Sequence, residues 1–208
     1  MKELQSSASV DLSVLIPVLN EELLLPRALE SAKRLGVKVY ILDSGSTDRT
    51  LEIARSYGCE VHQGRWGSFG EKLNWGFNEL SFETSWVMRL DADEYFTDEL
   101  IKQLQGGALA KLNQSIDGVW IGRQIYFMGK RIRFGGMNSQ PHVRIVRPGK
   151  ARYEYRLTDE HVVVDGGFAS INAAVVDDPA KGLVFWLKKH IAYAETECYA
   201  AYHIKAGT

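Results

Sequence analysis

Residues Trp86 to Glu94 read WVMRLDADE. Trp86, Val87, Met88 and Leu90 form an apolar run of strand length that leads directly into three carboxylates, Asp91, Asp93 and Glu94. Carboxylates crowded at a strand end repel one another at neutral pH, so the pattern calls for a cation there. If the segment is extended, Asp91 and Asp93 share one face, and the small Ala92 between them keeps the backbone close. Hard oxygen donors at this spacing suit magnesium or manganese, which would bridge to phosphate oxygens. Three plainer roles compete. The acids are poor caps for the following helix, because Thr97 and Asp98 are better placed. A calcium loop counted from Asp91 needs Gly where Phe96 stands and Glu where Lys102 stands. A solvated acidic loop is the default for any short cluster, and the apolar strand leading into it argues against that.

Working outward, the first half alternates strand and helix patterns. Leu12 to Leu19 is rich in Val, Leu and Ile, and Glu21 to Leu35 carries Leu24, Leu25, Ala28, Leu29, Ala32 and Leu35 at helical spacing. Val37 to Leu42 is again strand-like. Ser46 or Asp48 is expected to cap a helix running to Tyr57, followed by a strand over Glu60 to His62 and a helix over Gly70 to Leu80. Beyond the acids, Thr97 caps a helix through Gln105, and Gly106 stops it. This alternation predicts an α/β fold with a mostly parallel sheet covered on both faces. After Gly106 come short β-rich pieces: Gly118 to Phe127, Arg131 to Phe134, Val143 to Val146, Glu160 to Val164 and Ser170 to Val176. A last helix, from Pro179 to about Lys205, sets Leu183, Leu187, Ile191, Ala194 and Cys198 on one stripe. Its aromatic residues Phe185, Trp186 and Tyr193 are expected to pack in the core. The competing expectation is that, with Lys181, Lys188 and Lys189, they lie on an anionic membrane surface.

At 208 residues, with no linker or repeat, the chain reads as a single domain, 12–105 forming one half and 106–208 the other. A formal net charge of −1 gives nucleic-acid binding no support. Cys59 and Cys198 have no CxxC spacing, so two reduced, packed thiols are expected. The amino-terminal MKELQSSASVDLSVLIPV does not have the pattern of a signal peptide, and no apolar run is long enough to span a bilayer, which together point to the cytoplasm.

In a mostly parallel sheet, ligands bind outside the carboxyl ends of the strands. The first strand ends in Asn20-Glu21-Glu22 and the second in Asp43-Ser44-Gly45-Ser46-Thr47-Asp48. Asp43 is placed to accept a hydrogen bond from a nucleobase imide, while Ser46 and Asp48 read as turn and cap. Neither GxGxxG nor GxxxxGK[ST] occurs at a strand-to-helix junction, so dinucleotide and P-loop readings lose.

SVLIPVLNEE, ILDSGSTDRTLEIA and WVMRLDADE, in this order and spacing, resemble the nucleotide-binding half of family 2 glycosyltransferases with the GT-A fold. GKARYEYRLTDEHVVVDG and KGLVFWLKKHIAYAETE resemble the subset that includes lipopolysaccharide-core and exopolysaccharide glucosyltransferases, so the likeness covers roughly residues 12 to 200. The resemblance implies that Pro17, Asn20, Glu21 and Asp43 line the nucleoside pocket. Asp91 would hold the ribose or a metal-bound water, and Asp93, with Asp91 beside it, a divalent metal (Mg2+ or Mn2+) on the diphosphate. Relatives carry a His-Glu pair whose Glu is the catalytic base; here the pair is Asp159-Glu160, which gives Glu160 that role. In GEKLNWG, Leu73 stands where relatives tend to place a basic or amide residue, and Lys72 is displaced by one beside Asn74.

The implied reaction is inverting transfer of a sugar from a nucleotide-sugar donor to a saccharide or lipid-linked acceptor, with a peripheral contact to the inner membrane surface. Lys72, Arg144 or Arg147 would help to neutralise the departing diphosphate. His142 and His161 are more at home as structural residues than as ligands. The basic stretch Arg123, Arg131, Arg133, Arg144, Arg147, Arg152 and Arg156 is either a solvated face or an anion-facing wall. Two other functions compete: a sugar-1-phosphate nucleotidyltransferase, which lacks its Gly-rich basic loop here, and a catalytically silent nucleotide-sugar-binding module.

Overall fold

The computed structural model describes residues 10–134, 141–154 and 161–206. The chain begins as expected, with β1 (Ser13–Val18), α1 (Leu25–Leu35), β2 (Lys38–Asp43), α2 (Thr50–Ser56), β3 (Glu60–Gln63), α3 (Phe69–Glu79) and β4 (Val87–Arg89). The strands run parallel in the order β3-β2-β1-β4, so the chain winds outward from β1 and returns to its other side. That reversal opens a crevice beside the carboxyl end of β1.

All six residues of β1 are buried, and the pleat divides them between two cores. Val14, Ile16 and Val18 pack with Leu25, Ala28, Leu29 and Ala32 of α1, whereas Leu15 packs on the opposite face with Leu73 and Phe77 of α3. On β2, Val39 and Ile41 alternate in the same way with Tyr40 and Leu42. Gly76 permits the close approach of α3. A Cβ there would stand 2.7 Å from Leu42 Cδ1 and 2.9 Å from Leu15 Cδ2. Lys72 lies one turn earlier on the same face of the helix and is thereby brought down to the sheet rim.

The sheet continues from β4 through β8 (His142–Val146), β6 (Ile116–Phe127) and β11 (Gly167–Asp177) to β5 (Glu94–Phe96). β8 is antiparallel to β4 and to β6, and β11 is parallel to β6 but antiparallel to β5. α4 (Asp98–Gln105) is capped by Thr97, whose Oγ1 accepts from Leu100 N, and ends at Gly106. β7 is limited to Lys130–Arg131, and β9 (Ala151–Tyr153) pairs with β10 (Val162–Val164) in a separate hairpin. The three-residue strands β5 and β9 are additions to the sequence expectation.

Several expectations need correcting. α1 begins at Leu25, not Glu21; residues 22–24 form a turn closed by Leu24 N and Leu25 N on Glu21 O, while the amides of Glu21 and Glu22 donate to Thr50 Oγ1 and Asp48. Neither Ser46 nor Asp48 caps α2. Arg49 is its N-cap residue, without a side-chain cap, and Asp48 folds back onto Thr50 N at 2.9 Å. The last helix, α5 (Leu183–Ala206), does not turn its stripe to the core: Leu183, Leu187, Ile191, Ala194 and Cys198 are exposed. Phe185 and Tyr193 are exposed too, and only Trp186 of that aromatic set is half-buried, with its ring 5.1 Å from that of Phe127. Helical spacing identifies a stripe but not what covers it.

Candidate active site

The loops after β1 and β2 are joined by side-chain bonds to backbone. Asn20 turns the chain away from β1 in the left-handed region, φ 56°, which Asn tolerates better than most residues. Its amide donates to Ser46 Oγ at 2.9 Å, and its Oδ1 accepts from Thr47 N at 2.8 Å. Glu21 N donates to Thr50 Oγ1 at 2.7 Å. The DSGSTD segment thus shapes the loop that carries Asn20 and Glu21, a role beyond the turn expected of it. Pro17 is buried within β1, opposite Leu42.

Asp43 ends β2 and is fully buried. It accepts from Ser46 N at 3.0 Å, Ser46 Oγ at 2.5 Å, Gly45 N at 3.2 Å and Gln63 Nε2 at 3.0 Å. Burial raises its pKa, and the bonds from Ser46, Gln63 and Gly45 outweigh burial, leaving it below the ordinary aspartate value. Lys72 is nearly buried and donates to Val18 O at 2.9 Å and Ser44 Oγ at 2.8 Å. Burial dominates its titration. Despite the charges of Asp43 and Asp91, its pKa falls to about 8. Asn74 is committed to the backbone of Tyr153, donating to its carbonyl at 2.9 Å and accepting from its amide at 2.7 Å.

At the end of β4 the acids are not arranged as an extended pair. Asp91 O accepts from Glu94 N at 2.9 Å, which makes the segment a turn and sends the two aspartates to different partners. Arg89 holds Asp91 in a two-pronged pair, Nε to Oδ1 at 2.8 Å and Nη2 to Oδ2 at 2.9 Å. Arg144, 7% exposed, donates to Glu94 at 2.6 Å and to Asp91 at 3.4 Å. Burial pushes Asp91 upward, but the two guanidinium groups reverse this and hold it well below the usual carboxylate range. For Glu94, burial prevails over Arg144, and its pKa is pushed up to about 8. Asp93 faces Lys189 of α5 at 3.6 Å. Asp177, at the end of β11, is raised to about 6 by burial and by the charge of Asp93.

Two further residues at the site, Arg27 and Lys181, have partners that no local pattern indicates. Arg27 pins the turn, donating to Asp178 Oδ2 at 2.7 Å, to Asp178 O at 2.6 Å and to Asp93 O at 3.3 Å. Lys181 pairs with Glu21 at 2.8 Å and donates to Asn20 O at 3.0 Å. Their partners lie 151 and 161 positions away in the chain, beyond any local pattern. Of the basic stretch, Arg123 pairs with Asp177, Arg147 with Asp117 and Arg152 with Asp165, so these three serve ion pairs. Arg147 also lies over the Trp86 ring, before the start of β4 and away from the acids. Asp159 and Glu160 lie outside the described residues. The residues flanking that segment are joined, Glu154 N donating to His161 O at 3.0 Å. Tyr153, at the root of the hairpin, has its ring 5.6 Å from the guanidinium of Arg89.

Among the described residues, no three His, Cys, Asp or Glu side chains are grouped to hold a metal ion, and no helix is long and apolar enough to cross a membrane. Residues 13–178 match the family model described as Glycosyl transferase family 2. LpsC of Rhizobium meliloti (strain 1021), a lipopolysaccharide core biosynthesis glycosyltransferase, is 29% identical over 161 residues, covering 74% of this chain and 58% of its own. An uncharacterized glycosyltransferase of Rickettsia bellii is 35% identical over 95 residues, 45% of this chain and 31% of its own. The chain therefore spans well under two thirds of the length of either relative. Among solved structures, S. aureus TarS in complex with UDP-GlcNAc superposes with a TM-score of 0.61 at 18% identity, covering 83% of this chain and 59% of TarS. At that identity the likeness is one of fold, GT-A in type. With the family match extending from the first strand to the end of the sheet, the chain belongs to glycosyl transferase family 2.

Proposed function

We propose that this domain transfers a sugar, with inversion, from a nucleotide-sugar donor to a saccharide or lipid-linked acceptor in cell-surface polysaccharide or lipopolysaccharide synthesis. The observation that carries this reading is the convergence of Asp43, Lys72, Asp91 and Asp93 on one crevice at the switch point of a family 2 sheet. LpsC, a lipopolysaccharide core enzyme by name, and TarS, crystallised with UDP-GlcNAc, support the substrate class.

In this reading Pro17, Asn20, Glu21 and Asp43 surround the nucleoside, with Lys72 and Asn74 behind it. Asp91, its carboxylate fixed by Arg89, presents its remaining lone pairs to a ribose hydroxyl or a metal-bound water. Arg144 acts by holding Asp91 and Glu94 in place and not by touching the diphosphate. Asp93 fits a divalent metal. Among the described residues its carboxylate has no guanidinium partner, and magnesium or manganese needs only one or two carboxylates when phosphate and water complete the shell. Such an ion supplies charge neutralisation on the leaving diphosphate. The acceptor hydroxyl attacks the anomeric carbon as its bond to the diphosphate oxygen breaks, and Glu160 takes the hydroxyl proton. The hairpin root at Tyr153, beside Arg89, supports a base carried on that segment.

We place the protein in the cytoplasm, with α5 in peripheral contact with the inner membrane surface. The test is transfer from UDP-, GDP- and ADP-sugars by the wild type, Asp93→Ala and Glu160→Gln. Both variants should bind nucleotide less well or turn over at least a hundredfold more slowly while melting as the wild type does, an order of magnitude typical for lost acid-base or charge stabilisation. Full transfer by Asp93→Ala would refute the assignment.

A further inference from the structure

Glu21, Asp91, Asp93 and Glu94 at the rim of the crevice each have a basic partner, and the partners differ in kind. Arg144 is buried and Arg89 half-buried, and each makes two contacts to carboxylate oxygens. Lys181 is fixed by Glu21 and Asn20 O together. Lys189 is different. It sits 3.6 Å from Asp93, an ion-pair distance too long for a hydrogen bond, and its side chain is 36% exposed. An ammonium on a four-carbon stem re-aims easily, whereas a forked guanidinium held at two points does not.

The helix that carries Lys189 is held over the crevice at three places: Lys181 on Glu21, Trp186 on Phe127, and Lys189 on Asp93. α5 begins after residue 178, where the family match ends, and the KGLVFWLKKHIAYAETE stretch that contains this lysine gives it no part in donor binding. We propose that Lys189 is a diphosphate-binding residue, turning from Asp93 to the donor's phosphate oxygens, and that α5 thereby completes the donor site. This rests on the nucleotide-sugar reading of the crevice. A lysine at this point meets the charge that grows on the leaving group at the Asp93 end, where Arg89 and Arg144 are already committed.

The experiment compares wild type, Lys189→Met, Lys189→Arg and Lys188→Met with magnesium present. Calorimetry measures the affinity for UDP, GDP, ADP and CDP, and ligand-observed NMR measures binding of the matching nucleosides. Lys189→Met should bind the preferred nucleoside diphosphate on the order of tenfold more weakly, as expected for one charge-assisted contact, with nucleoside binding unchanged. Lys189→Arg should recover part of the loss, and Lys188→Met, on the exposed side of the same helix, should lose nothing. Undiminished diphosphate binding by Lys189→Met overturns the proposal, and so does an equal loss for diphosphate and nucleoside, which would mark a purely structural lysine. Absence of any nucleoside diphosphate binding in the wild type refutes the donor reading as well, so the two failures are told apart.

Discussion

Arg144 donates to Glu94 at 2.6 Å where both side chains have left water, 7% and 2% exposed. Glu94 in turn accepts from Asp91 N at 3.1 Å, and Arg144 reaches on to Asp91, so one guanidinium closes the turn that carries the acids. The cation that the crowded carboxylates call for is therefore partly built into the protein. Arg89 and Arg144 neutralise Asp91, and Arg144 and burial hold Glu94 inside the turn, which leaves Asp93 as the acid of this turn that faces the crevice.

Replacing Arg144 with Met leaves Glu94 buried beside Asp91 without its cation. Loss of one partner from a buried pair costs about 3–5 kcal/mol, so Arg144→Met should lower the urea midpoint strongly. Glu94→Gln keeps an acceptor for Arg144 and, like the carboxyl whose pKa burial raises, carries no obligatory charge, so it should cost less. Equal midpoints for wild type and Arg144→Met would show that the pair does not hold the turn.

Asn74→Ala should unfasten the hairpin from α3. Its amide satisfies both backbone groups of Tyr153, and leaving a buried donor and acceptor unpaired costs about 1–3 kcal/mol for each group. The expected signs are a lower urea midpoint and faster hydrogen exchange at the Tyr153 amide. Because Tyr153 stacks on Phe77 and lies against Arg89, nucleotide binding should weaken as well. Unchanged exchange at Tyr153 would contradict the clamp.

Lys72 supplies a pH dependence whose sign can be stated. Its folded pKa, about 8, is depressed by burial from the ordinary lysine value of 10.5. Between these values the unfolded chain binds the extra proton, so this group makes stability rise with pH from about 8 to 10.5 and leaves it flat below 8. Nucleotide affinity should move the other way, falling as pH passes about 8 and the ammonium is lost. Phosphate groups finish ionising near pH 6 and do not mask the effect. Titrations from pH 6.5 to 9.5 should show the decline in the wild type and a flat profile in Lys72→Arg, since guanidinium stays charged. A flat wild-type profile would rule out a charged Lys72 in binding.

The alternation of strands and helices up to Gln105 was legible because β1, β2 and β4 are buried on both faces and α1 and α4 end at glycines, Gly36 and Gly106. β5 and β9 were not legible. Three residues long, they are strands only because β11 and β10 lie alongside. At the site, the positions of Asp43, Asp91 and Asp93 could be read from strands ending in acids. Their partners could not: Arg144 is 50 positions from Glu94, and Lys189 comes from a helix whose own pattern spelled core packing. Lys72 was noticed only as a displaced basic residue, yet its displacement matters physically, since it lies four residues before Gly76 on the face pressed to the sheet.

The exposure of α5 bears on where the enzyme works. Leu183, Val184, Phe185, Leu187, Ile191 and Tyr193 present apolar surface in a single helix, with Lys188 exposed among them. Apolar side chains that insert at a headgroup boundary gain about 25 cal/mol per Å² buried, and each lysine adds about 1 kcal/mol on an anionic leaflet. The protein should therefore sediment with vesicles containing anionic phosphatidylglycerol and much less with neutral phosphatidylcholine vesicles. Paired substitution of Leu187 and Ile191 by Gln should reduce sedimentation severalfold while leaving transfer to a water-soluble acceptor intact, because neither side chain reaches the acids. If the doubly substituted protein sediments like the wild type, another surface makes the contact. If transfer falls in parallel, these side chains seat α5, and Lys189 with it, rather than meeting lipid.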